Sequence, residues 1–309
     1  MRGILTGKNR GILRRFARSN VLLAFDYDGT LAPIVSDPGR ATMRATTRRL
    51  LRQLTRLYPC IIISGRALAD ARRLLRGVDV LAIFGNHGAE TSETQGRGVR
   101  EVQGWQLPLE NRLKAYRGVR IENNGYSIVV HYRQSPEKKK ALAAILEAVA
   151  GLGAVRVTGG KLAVNVLPRN GPNKGTALKR ERARLGCDTA IYVGDDDSDE
   201  DVFALKLPGK LLAIRVGAKV DTRAPYCIRN QAEIDRLLAL LVGWRASDST
   251  ANERARAPRA VTRRSLGSRT TAARRASEPQ SARSMRPRDS AARRRRGSRR
   301  RRAPAKASI

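Results

Sequence analysis

Histidine and cysteine are scarce in this chain, and their scarcity excludes several chemistries. Only His87 and His131 are present, too few for a histidine-built metal centre. The three cysteines, Cys60, Cys187 and Cys227, are odd in number and far apart. They form neither a disulfide framework nor a zinc pattern. No apolar run reaches the ~18 residues that a membrane-spanning helix needs. The first twenty residues are basic, and Arg14, Arg15 and Arg18 interrupt the apolar stretch a secretory signal requires. A cytoplasmic location is expected. The Walker pattern and the dinucleotide fingerprint are missing, and no internal repeat is visible.

Acidic residues are few as well. The 27 Asp and Glu stand against 62 Lys and Arg, for a net charge of +35. About half of that excess lies in roughly the last fifth of the chain, from about Arg245. This segment is rich in Arg, Ser, Ala and Pro and has almost no large apolar residue. It cannot bury enough surface to offset its ordering entropy, so residues 245–309 are expected to form a disordered tail. Runs such as Arg293–Arg296 and Arg299–Arg302 suit non-specific binding of nucleic acid or another anionic surface. Aromatic residues that would stack on bases are not interleaved among them. A frameshifted or read-through end of a GC-rich gene is the alternative. The remainder is also basic, which suits an anionic substrate.

What the rest contains is an alternation of short apolar runs and amphipathic stretches. Val21–Asp26, Cys60–Ile63, Val80–Phe84, Ala190–Val193 and Leu211–Val216 read as buried strands. Helices are expected near 41–57, 68–75, 174–185 and 233–241. This order predicts an α/β fold with a doubly wound parallel sheet. Between about Gly88 and Pro168 the pattern changes. Asn123-Asn124-Gly125 and Gly159-Gly160 mark two hairpins around a helix over 136–150. An α+β module is therefore expected as an insertion, with core segments at 1–87 and 169–244 and the insert at 88–168.

Four segments carry candidate chemistry. The run Val21–Phe25 ends in Asp26 and Asp28, two carboxylates that repel unless a cation or shared proton separates them. A second strand ends in Gly194-Asp195-Asp196-Asp197-Ser198-Asp199-Glu200-Asp201. If the two strands are parallel neighbours, their carboxylates converge, and an oxygen-only set of this kind suits Mg²⁺. Part of that cluster also reads as an acidic helix start. Ser64-Gly65-Arg66 follows a buried strand and offers a hydroxyl and main-chain N–H groups to an anion. Lys174 opens a helix, where the dipole disfavours a cation, so it needs a nearby anion such as a phosphate or the Asp26 carboxylate. A carboxylate nucleophile, a second carboxylate, a hydroxyl, a lysine and a Mg²⁺ site are the parts of phosphoryl transfer.

In this order, Asp26-x-Asp28-Gly-Thr, Ser64, Lys174 and Gly194-Asp195-Asp196 resemble the haloacid dehalogenase superfamily. The resemblance implies a Rossmann-like core and an aspartyl-phosphate intermediate. Asp26 would attack phosphorus, and Asp28 would protonate the leaving alkoxide and then activate water. Mg²⁺ would be held by Asp26, the Asp28 main-chain carbonyl and Asp195. Asp196 and Asp199 would support the metal or bind it. Ser64, Gly65 and Lys174 would hold phosphate. More narrowly, Phe25–Pro33, Ile63–Arg66, Gly85–Glu90, Val130–Arg133 and Tyr192–Phe203 resemble the trehalose-6-phosphate phosphatase family over roughly residues 20–244. The insert would then be a C2-type cap over a sugar phosphate, with Arg66, Asn86, His87, Lys161 and Asn165 near the substrate. One departure stands out. The family has Glu and a basic residue where this chain has Asn165 and Leu167, which weakens a charge-assisted hydrogen bond to the sugar. Sucrose phosphate and a glucosyl-glycerol phosphate are the alternative substrates.

Overall fold

The computed structural model describes residues 1–35, 38–94, 99–160 and 162–256. Lys161 and the segment from 257 lie outside the described residues. The chain opens with β1 (Arg2–Gly3) and α1 (Gly7–Arg18), which periodicity had not suggested. The helix is anchored by Leu13, Phe16 and Ala17, one buried stripe on an otherwise basic cylinder. Then follow β2 (Val21–Phe25), α2 (Ala45–Thr55), β3 (Cys60–Ile63), α3 (Leu68–Leu74) and β4 (Ala82–Phe84). The insert comprises α4 (Arg100–Leu113), β5 (Arg120–Asn123), β6 (Ile128–His131), α5 (Lys138–Ala150), β7 (Val155–Gly160) and β8 (Ala163–Pro168). The core resumes with α6 (Lys174–Arg184), β9 (Thr189–Gly194), α7 (Glu200–Phe203), β10 (Leu211–Val216), β11 (Tyr226–Ile228) and α8 (Ile234–Arg256).

Seven parallel strands form the core sheet in the order β1-β11-β10-β9-β2-β3-β4. Both faces are buried, which explains the uninterrupted apolar runs. In β2, Val21, Leu23 and Phe25 enter one core with α1, α2 and α8, while Leu22 and Ala24 enter the other with α6 and α7. The strand order reverses between β2 and β9, so a crevice opens at their carboxyl ends. There Phe25 pairs with Val193, and the Asp26 N–H donates to the Val193 carbonyl at 2.9 Å. The two acidic segments thus leave the sheet side by side.

The insert is a four-stranded antiparallel sheet, β5-β6-β8-β7. One face packs on α4 and α5 through Ile128, Val130, Val164 and Val166. The helix α4 was not expected, because Gly104 and Pro108 break its sequence pattern. Val102, Trp105, Leu109 and Leu113 nevertheless form its buried stripe. The second hairpin turns later than expected: Gly159-Gly160 lie within β7, and the chain reverses beyond them. The last helix also differs. It was expected to end near Leu241, yet it runs to Arg256. Arg245 stacks over Tyr58 at 4.5 Å, and Asp248 pairs with Arg18 at 2.6 Å. The boundary expected at 245 therefore falls inside a helix that packs on the core.

Candidate active site

Asp26 sits just past β2, and Lys174 starts α6. The Lys174 ammonium donates to Asp26 Oδ1 at 2.9 Å and to Asp199 Oδ1 at 2.8 Å. All three are essentially inaccessible to solvent. The cation that opposes the helix dipole is answered by two carboxylates, one anticipated and one not. Asn173 caps the same helix with a reciprocal Asn173–Thr176 pair, which fixes where Lys174 begins. Asp199 is further committed. Its Oδ1 accepts from the Tyr192 hydroxyl at 2.6 Å and its Oδ2 from the Asp196 N–H at 2.7 Å. Burial holds the Asp26 carboxyl well above the ordinary carboxylate range, and the Lys174 ammonium opposes that rise. Asp196 is raised too, by burial and then by the Asp199 charge.

The carboxylate oxygens of Asp26, Asp195 and Asp199 lie within 4.8 Å of one another. This set fits a hard divalent cation: all its donors are carboxylate oxygens, gathered at one point and largely shielded from water. Because Lys174, Tyr192 and the Asp196 N–H already occupy Asp199, the donors facing the cavity are Asp26 and Asp195. The loop geometry serves them. At Gly29, φ is +80°, and a Cβ there would lie 2.1 Å from Asp195 Oδ2. A side chain would displace that carboxylate. Gly194 is equally constrained, since its Cβ would meet the Asp199 carboxyl carbon at 2.3 Å.

Asp28 faces the same cavity and is gripped by Arg66 through two bonds of 2.6 Å each. Gly65, His87 and Lys174 also line it. His87 is 4% exposed and has φ +58°. Burial, followed by the Lys174 and Arg156 charges, pushes its pKa down to about 3, so the ring is neutral. The Asn165 side chain lies beside the ring without good hydrogen-bond geometry. Ser64 and Asn86 are not among the residues that line the cavity. Ser64 is fully buried behind the cavity and accepts from the Arg66 N–H at 3.2 Å. Asn86 does not line the cavity; it ties the insert to the core, donating to Glu90 and to the Asn124 carbonyl and accepting from Ser127.

The inner face of the insert sheet roofs a cavity of about 780 Å³. Strand register arranges this face in rows. Val129 pairs with Glu122 on one side and Asn165 on the other, and His131 pairs with Arg120 and Ala163. All six residues line the cavity. His131 and Glu122 are joined at 2.8 Å, and that contact holds the Glu122 carboxyl below its usual range. On the remaining strand, Arg156 bonds Asp201 of the core at 2.5 Å.

Residues 24–226 match the family model described as Trehalose-phosphatase. The chain belongs to the trehalose-phosphatase family. It is 30% identical over 268 residues to probable trehalose-phosphate phosphatase 4 of Oryza sativa subsp. japonica, spanning 80% of this chain and 71% of the relative. With trehalose-phosphate phosphatase B of Arabidopsis thaliana it shares 30% over 252 residues, 73% of this chain and 67% of the relative. Among solved structures it is similar to the C-terminal domain of C. albicans trehalose-6-phosphate phosphatase. That match has a TM-score of 0.64 at 24% identity and covers 76% of this chain and 97% of that one. A haloacid dehalogenase-like hydrolase from B. subtilis matches with a TM-score of 0.53 at 15% identity, over 71% and 98% of the two chains. At these identities the structures speak for the fold, which is the one expected. As a trehalose-phosphatase family member, the chain is a phosphoric monoester hydrolase of the sugar-phosphate class.

Several cavity residues of this phosphatase were not anticipated. Arg120, Glu122 and His131 carried a usable signal, the period-two alternation of polar residues with Ile121 and Val130. Tyr192, which lies outside the cavity lining and holds Asp199, carried none, because a tyrosine in an apolar run reads as core.

Proposed function

We propose that this chain is a Mg²⁺-dependent phosphatase that hydrolyses a phosphorylated disaccharide, with trehalose 6-phosphate the leading substrate. The observation that carries this reading is the buried Asp26–Lys174–Asp199 network opening into a cavity roofed by polar strand residues. When bound, the cation would be held by Asp26, Asp195 and the Asp28 main-chain carbonyl, and it would supply positive charge against the phosphate. Asp26 attacks phosphorus and forms an acyl phosphate as the bond to the sugar oxygen breaks. Asp28 gives that oxygen its proton. It then takes a proton from water, which attacks phosphorus and releases Asp26. Lys174 keeps the nucleophile oriented and offsets charge on the phosphate. Arg66 is placed to exchange partners, since a phosphate dianion competes with Asp28 for the same guanidinium. On the roof, Glu122 and His131 meet sugar hydroxyls. A cytoplasmic site of action belongs to this reading.

Phosphate release from a panel of sugar phosphates, with and without chelator, tests it. Activity on trehalose 6-phosphate that survives exhaustive chelation sinks the metal part. No release from any sugar phosphate sinks the whole. The Asn at 165 favours a second substrate, sucrose phosphate or a glucosyl-glycerol phosphate, because the roof lacks a carboxylate in that row beyond Glu122. Asn165→Glu is expected to raise kcat/KM on trehalose 6-phosphate about tenfold, as a charged hydrogen bond is worth ~1.5–3 kcal/mol. Unchanged kcat/KM, with good wild-type turnover, would show that this position does not read the sugar.

A further inference from the structure

Arg215 is a lone cation inside an apolar strand, β10, and it is buried. In register it pairs with Gly194, the last residue before the acidic loop. Its guanidinium reaches that loop without lining the cavity. Nη2 donates to the Asp195 carbonyl oxygen at 2.5 Å, and Nη1 to the Asp196 carbonyl at 3.4 Å. Nη1 also donates to Glu200 Oε1 at 3.2 Å, and Glu200 Oε2 accepts from the Arg223 N–H at 2.9 Å. A rigid planar fork thus grips two successive peptide carbonyls whose side chains are the candidate ligand Asp195 and its neighbour Asp196. Glu200 balances the fork's charge. Of the acidic cluster, Glu200 therefore serves the loop's framework, whereas Asp195 faces the cavity.

We propose that Arg215 is a positioning residue for the divalent-cation site: it fixes the Asp195–Asp196 peptides and, through them, the Asp195 carboxylate opposite Asp26. It touches neither cation nor substrate. This inference rests on the metal reading above. Outer partners of metal ligands change cation affinity by roughly 10–100-fold when removed. Charge alone predicts the opposite sign, because deleting a nearby cation tightens binding of another cation.

The test measures Mn²⁺ affinity of the substrate-free full chain by calorimetry and by electron paramagnetic resonance, at a temperature well below Tm. Wild type, Arg215→Met and Arg215→Lys are compared, with Tm recorded for each. Arg215→Met is expected to weaken Mn²⁺ binding about tenfold or more. Arg215→Lys keeps the charge and one carbonyl bond, so its affinity falls between the two. A purely structural role lowers Tm and leaves Mn²⁺ affinity alone, and that result overturns the proposal. So does tighter binding by Arg215→Met. Should Arg215→Met fail to fold, Arg215→Lys decides, and wild-type affinity in that variant overturns the proposal. A wild type that binds no Mn²⁺ sinks the metal reading and this inference together. Equal binding by wild type and variants sinks the inference alone.

Discussion

The two walls of the cavity differ in how they hold charge. On the core side, the Asp26, Lys174 and Asp199 side chains are 5%, 2% and 0% exposed and bind one another at 2.8–2.9 Å. On the roof, the His131 and Glu122 side chains are 25% and 46% exposed, and their single contact is shared with solvent. Buried charges of this kind are strongly interdependent, since removing one strands the others without water. Half-exposed pairs are screened and contribute little to stability. The chemical wall is therefore pre-organised by the fold, whereas the recognition wall can change residues without endangering the core. Of the two residues that depart from the family pattern, Asn165 lines the roof but is itself buried, and Leu167 is buried in the same strand outside the cavity lining.

The largest expected effect tests the chemical wall. Asp26→Asn is expected to lower phosphate release roughly 10⁴-fold or more while circular dichroism stays native, as removing a nucleophile typically does. Substantial turnover in the folded variant would remove Asp26 from its role and blur the contrast between the walls. Next comes Lys174→Met. It leaves Asp26 and Asp199 facing each other without their shared cation, and the expected stability loss is about 3–5 kcal/mol in denaturant titration. A loss below about 1 kcal/mol would place the core network in the same class as an exposed pair.

A smaller effect is expected on the roof. Glu122→Gln should raise KM for the sugar phosphate by about tenfold with little change in kcat or Tm, because a charged hydrogen bond is lost from binding alone. A fall in kcat with unchanged KM would mean that the roof takes part in the chemistry. The smallest effect is a pH slope. His87 binds its proton less readily when folded, at about 3 against 6.5. The unfolded chain therefore holds more protons in that window, and stability falls as pH drops from about 6.5 toward 3. His87→Asn tolerates the left-handed backbone and is expected to flatten the slope between pH 6.5 and 5, above the main carboxylate range. An unchanged slope in unfolding free energy would show that His87 gains its proton without cost.

The core was readable because its signals are local. Two apolar runs ending in acids, a helix-opening lysine and strand–helix alternation need no knowledge of distant contacts. The roof was partly readable: its hairpins announce themselves through Asn-Gly and Gly-Gly, and its inward residues through alternation. The helix α4 was hidden because Gly104 and Pro108 break its pattern, and tertiary burial of Trp105 and Leu109 overrides that weakness. The final helix outran its apolar stripe because contacts at Arg245 and Asp248, rather than periodicity, hold its continuation.

The sequence by itself determined the α/β architecture and marked the change of pattern in the insert, the strand-end acids Asp26, Asp28 and Asp195, and the helix-opening Lys174. Apolar period and charge at strand ends are properties of neighbouring residues. That β2 and β9 are neighbours, so that these residues meet, is a property of the sheet. Only the tertiary structure assigned partners within the acidic cluster: Asp199 to Lys174 and Tyr192, Glu200 to Arg215, Asp201 to Arg156. Six carboxylates in seven positions look alike in a linear chain. Which one faces a cavity and which one meets a cation is set by the twist of the loop and by strands that arrive from elsewhere, and these carry no signature in the cluster itself.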